Sequence, residues 1–100
     1  MVVLDARLRT TLERNIDTVM ENPKAAMKTF TFLLESNGIE PKLESILSVI
    51  VGYLYGLADL WYATTHNRQI NEDEFFEVIK LLKRRAWEMR QSFISTHLEI

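Results

Sequence analysis

The chain has 100 residues, 47% of them hydrophobic and 26% charged, with a formal net charge of −2 and no cysteine. This length suits one domain, the apolar share excludes disorder, and the lack of cysteine excludes a disulfide framework and thiolate chemistry. The near-neutral charge gives no global pull toward nucleic acid or an anionic membrane, and Asp5 arrives too early for a secretory leader, so a cytoplasmic location is expected.

Hydrophobic periodicity predicts four helices in a single all-α domain, residues 1–100. The first covers about 5–21. Leu4, Leu8, Leu12, Ile16, Val19 and Met20 recur at steps of three and four to give one apolar stripe, and Asp5 is placed to cap it. Asn22-Pro23 ends it, because a residue before proline avoids the α region. The second helix covers about 24–36, with Pro23 in its first turn and Ala26, Met27, Phe30, Leu33 and Leu34 facing inward. Phe32 lies off that face, and Asn37-Gly38 supplies a stop.

The third helix, about 41–65, is apolar nearly all round: between Leu43 and Ala63 only Glu44 and Asp59 carry charge. Such a helix must be covered by protein or by lipid. A membrane span fits poorly. The uninterrupted stretch, Ile46 to Ala58, already holds Ser48, Gly52 and Gly56, and Asp59 follows inside the window. A carboxylate at bilayer depth costs about 2.5–3.5 kcal/mol on insertion scales. Cover by protein is the expected arrangement, and so short a chain has few elements to supply it. Part of the cover is therefore expected from a second chain.

The fourth helix covers about 72–97. Asn71 with Glu74 three positions on forms a capping box, and Glu72 and Asp73 place negative charge at the positive end of the helix dipole. Its expected core stripe is Phe75, Ile79, Leu82, Ala86, Met89 and Phe93. The short connection THNRQI makes the third and fourth helices an antiparallel hairpin, each roughly 37 Å long at about 1.5 Å per residue. The expected architecture is thus two short N-terminal helices on a long hairpin, assembled as a dimeric helical bundle.

Three features are candidates for function. Ser48, Gly52 and Gly56 form a small-residue stripe on the third helix. Each glycine costs the helix about 1 kcal/mol relative to alanine, which close approach of another helix would explain. That helix belongs either to the same chain or to a second copy meeting it across a two-fold axis. Asp59 is expected to be buried and paired with His66, Arg84, Arg85 or a tyrosine hydroxyl, since an unpaired buried carboxylate costs several kcal/mol. A pocket acid is the functional reading of Asp59, and a register-fixing contact the structural one.

The third feature is an outer face of the fourth helix, where Phe76, Lys80, Lys83, Trp87, Arg90 and Ile94 share a strip with Arg84 at its margin. Aromatic anchors beside arginine suit a protein partner. Cations interleaved with aromatics also suit phosphates and bases. The milder reading covers Trp87 and Ile94 with the first two helices and leaves the cations solvated. A helix-turn-helix is excluded, because the third helix offers only serines and aliphatic side chains to read bases.

No catalytic, phosphate-binding or metal-ligating spacing occurs; His66 and His97 are far apart, and capping explains the acidic cluster at 72–77. No enzyme activity, cofactor or metal is expected. The function expected is protein interaction, as an adaptor, regulatory or accessory subunit acting as a homodimer. The alternatives are a nucleic-acid-binding regulator using the fourth helix and, more weakly, a small ligand carrier with Asp59 in its pocket.

Overall fold

A computed structural model describes residues 4–98, with side chains through residue 96. Four helices follow in order: α1 (Ala6–Glu21), α2 (Pro23–Ser36), α3 (Leu43–Thr65) and α4 (Glu72–Leu98). No strand occurs among the described residues.

The termini use the residues that local chemistry selects. Asp5 Oδ1 accepts from the backbone N–H groups of Arg7 (2.8 Å) and Leu8 (3.3 Å), satisfying donors that the first helical turn leaves free. Asn22 both ends α1 and caps α2, its Oδ1 accepting from Ala25 N–H at 3.2 Å. Its extended backbone turns the chain between the two helices without a loop. Gly38, at φ +72°, closes α2: Ile39 N–H donates to Leu34 O (2.9 Å) and Gly38 N–H to Glu35 O (3.1 Å). The capping box of α4 is reciprocal. Glu74 N–H donates to Asn71 Oδ1 (2.8 Å), and Asn71 N–H donates to Glu74 Oε1 (3.0 Å).

α3 and α4 form the hairpin, and α1 and α2 each contact both of its helices. α1 lies over the end near the connecting loop, where Asp5 meets Tyr62 and His66. α2 lies over the other end. There Met27 and Thr31 share a cavity of about 540 Å³ with Leu43, Ile46, Phe93 and Ile94. The core sits between these layers: Leu8, Leu12 and Ile16 from α1, Leu34 from α2, Ile50, Leu54, Ala58 and Tyr62 from α3, and Val78, Leu81, Met89 and Phe93 from α4.

Two expectations about packing need correction. The buried stripe of α4 runs through Glu74, Val78, Leu81, Leu82, Arg85, Met89, Phe93 and Thr96, while Phe75 and Ile79 are exposed and Ala86 is half-buried. The helix is turned from the purely apolar register because Glu74 finds Arg68, and Arg85 finds Glu13 and Asp17, at the edge of the core, and Val78 and Leu81 fill the space between them. On α2, Leu33 is exposed rather than inward, leaving Leu34 as the buried anchor.

Candidate functional site

Two sets of polar side chains hold the helices together. At the loop end, Asp5 Oδ2 accepts from His66 Nε2 (2.9 Å) and Trp61 Nε1 (3.2 Å), and Tyr62 Oη accepts from Asp5 N–H (3.0 Å). The His66 hydrogen bond is the chief reason that the Asp5 carboxyl lies far below the usual carboxylate range; the donors from Trp61, Arg7 and Leu8 add to it, against the opposing effect of burial. Burial, in turn, pushes the Tyr62 phenol up. Arg68 grips Glu74 through two hydrogen bonds of 2.7 Å and lies over the Tyr62 ring. That pair holds Glu74 down at about 2.

Further along, the buried Arg85 of α4 reaches Glu13 (2.6 Å) and Asp17 (2.5 Å) of α1. Its Nε lies 3.3 Å from Glu88 without the geometry of a hydrogen bond. The sequence identified Asp5 as a cap and Asn71–Glu74 as a capping box, but not these second roles. The second role of Asp5 and the reach of Arg85 depend on residues 56 to 72 positions away, for which a single sequence carries no signal, whereas Glu74 meets Arg68 only six positions before it.

Asp59 is corrected by the same contacts. It is exposed, and among the described residues it has no hydrogen bond or ion pair. His66 is engaged by Asp5, Arg85 by Glu13 and Asp17, and Arg84 by Glu13 (3.4 Å). Asp59 sits on the side of α3 that α1 and α2 leave bare, beside an open depression shared with Tyr55, Glu72 and Phe75.

That bare side gathers the other candidates. Only a third of an 18-residue window along α3 is buried. Ser48, Gly52 and Gly56 are all exposed, and a Cβ added at either glycine would meet nothing within 4 Å. The reading in which a helix of the same chain fills the stripe is thereby corrected: α1, α2 and α4 all lie elsewhere around α3. Val51 and Tyr55 flank the stripe toward α4, with the Tyr55 ring edge-on to Phe75 at 5.7 Å. Tyr53 and Leu60 flank it on the other side, 55% and 59% exposed.

α4 continues this face. Phe76 is 52% and Trp87 63% exposed, so the reading that covers Trp87 with the first two helices is also corrected. Ile94 is half-buried at the α2 end. Ser48 and Val51 of α3 line one shallow groove with Lys83, Trp87 and Arg90 of α4, which places the small-residue stripe and the basic, aromatic strip on a common surface. The cations of that strip are mostly engaged. Lys80 pairs with Glu77 (3.2 Å), Arg84 with Glu13, and Arg90 with Glu44, whereas Lys83 has no carboxylate within ion-pair distance among the described residues.

This face presents exposed aromatic side chains, a backbone left accessible by glycine, and charges of both signs, Lys83 against Asp59 and Glu72, that have no ion-pair partner among the described residues. Among the described residues no three His, Asp or Glu side chains converge as metal ligands. The His97 side chain lies outside the described residues. No protein-family model, curated protein or solved structure matches the chain.

Proposed function

We propose that this protein is a non-catalytic interaction module, an adaptor, regulatory or accessory subunit that works as a helical homodimer through the bare face of the α3–α4 hairpin. The observation that carries this reading is the exposure of Tyr53, Leu60, Phe76 and Trp87 on the helices that form the core on their other sides. Exposed aromatic and large aliphatic side chains are the usual anchors of protein interfaces. The engagement of Lys80, Arg84 and Arg90 by carboxylates of the same chain supports a protein partner over nucleic-acid phosphates, which need free cations. α3 has the length and hydropathy of a membrane span. Its packing through Ile50, Leu54, Ala58 and Tyr62 into a core shared with three other helices supports its role as a bundle element.

Sedimentation over a range of concentrations tests the proposal. The wild type is expected to dimerise at or below about 10 μM, an ordinary affinity for such a contact. Gly52→Leu is expected to be monomeric with its helix content intact, because the added side chain projects from an open helix face. A wild type that stays monomeric at about 100 μM overturns the reading.

A further inference from the structure

The bare hairpin face carries unpaired charge of opposite sign at its two ends, Lys83 at one and Asp59 with Glu72 at the other. The Tyr55–Phe75 ring pair and the Arg90–Glu44 ion pair fix the register of α4 along α3. Interpolating between them, Lys83 lies level with the α3 turn at Ser48 and Val51, whose groove it shares. Asp59 lies some ten residues further along α3, about 15 Å away at 1.5 Å per residue. Within one protomer these two side chains are too far apart to pair.

Their surroundings differ in the same sense. Asp59 shares its depression with the Glu72 carboxylate and with Tyr55 and Phe75, an acidic hollow with aromatic walls. Lys83 shares its groove with Trp87 and with the Arg90–Glu44 ion pair, so the groove's net positive charge is that of Lys83. The point midway between hollow and groove falls on α3 between Gly52 and Gly56, where nothing stands above the backbone. A two-fold axis lying in the plane of contact above α3 there, perpendicular to the helix, lays one hairpin antiparallel on the other. It brings the acidic hollow of each copy over the basic groove of its partner. A two-fold axis running along α3 instead makes the helices parallel and sets each Asp59 level with its own copy, where like charges repel.

Resting on the homodimer reading above, we infer that the occupant of this face is a second copy of the chain in antiparallel register, with Asp59 of each protomer paired to Lys83 of the other and the two glycines at the crossing point. The apolar side chains supply the area, and the charges select the register.

Charge reversal tests the register separately from the dimer. In Asp59→Lys each dimer holds two lysine–lysine encounters, and in Lys83→Asp two carboxylate–carboxylate encounters. Each variant alone is expected to dimerise about tenfold more weakly than the wild type by sedimentation or fluorescence anisotropy. An equimolar mixture of the two variants restores both opposite-charge pairs and is expected to associate within about threefold of the wild type. The Asp59→Lys, Lys83→Asp double variant is expected to do the same as a homodimer. If the wild type dimerises but the single variants associate equally well, or their mixture associates no better than either alone, the antiparallel register is wrong and the homodimer reading stands. If the wild type is monomeric at about 100 μM, both fall.

Discussion

Asp5 divides its carboxylate between two tasks, and substitution separates them. Oδ1 caps α1, while Oδ2 receives His66 and Trp61 from α3. Asparagine keeps the cap but loses the charge. Asp5→Asn is expected to cost about 1 kcal/mol and Asp5→Ala about 2–3 kcal/mol, measured by urea denaturation at neutral pH. The pH dependence follows from the same atoms. The folded state holds Asp5 far below its ordinary range, chiefly through His66, and Glu74 at about 2, chiefly through Arg68. A carboxyl depressed by folding contributes stability that is fully present above its unfolded value and is lost as pH falls toward its folded value. Stability is therefore expected to fall between about pH 4.5 and pH 2 in the wild type, and to fall less steeply in an Asp5→Asn, Glu74→Gln double variant. Equal slopes in the two proteins would remove these groups from the acid response. The Asp5 cap and the Asn71–Glu74 box were both legible in the sequence, because capping is local. The reach from Asp5 to His66 was not, since it exists only once α1 is laid over the loop end of the hairpin.

α4 shows how an element's face is chosen. Periodicity alone prefers the stripe with the most apolar residues, which for α4 runs through Phe75 and Ile79. The fold buries Glu74 and Arg85 instead, because Arg68, Glu13 and Asp17 stand ready for them and a paired charge can be buried where a lone one cannot. This one choice has two consequences. It ties α4 to α1 by ion pairs in the middle of the bundle, and it turns Phe76 and Trp87 outward. The helix positions themselves were read from the sequence to within two residues at each end, since Pro23, Gly38 and the Asn71 box punctuate the chain. Periodicity misses this facing because it gives a charged residue no reason to be buried, and the partners of Arg85 lie 68 and 72 positions away. Arg85→Ala is expected to destabilise the protomer by about 1–3 kcal/mol, through loss of its buried stem and of its pairing with the part-exposed Glu13 and the exposed Asp17. Arg85→Met fills the volume without the charge, and is expected to recover most of that loss. Thermal unfolding of both variants decides whether packing or pairing holds the two helices at this point.

At the scale of the molecule, the governing fact is that two short helices cannot cover both sides of a longer hairpin. α1 and α2 have 16 and 14 residues and lie along one side of α3 and α4, which have 23 and 27. The apolar run of α3 signalled this shortage in the sequence, but not which side would be left bare. The two exposed glycines now permit a test in which stability and association move in opposite directions. With no atom near the added methyl groups, Gly52→Ala and Gly56→Ala are each expected to stabilise an isolated protomer by about 0.5–1 kcal/mol through helix propensity. If the glycines lie where two copies cross, the same methyl groups hold the helices apart. In a protein that unfolds from a dimer, the melting temperature rises with concentration, by about 3–5 °C per tenfold for two chains of this length. The wild type is expected to show this slope. The double alanine variant is expected to melt higher than the wild type at the lowest concentration, with a reduced slope. Were its slope equal to that of the wild type, the glycines would lie outside any contact, and their presence in α3 would need a reason other than the approach of a second helix.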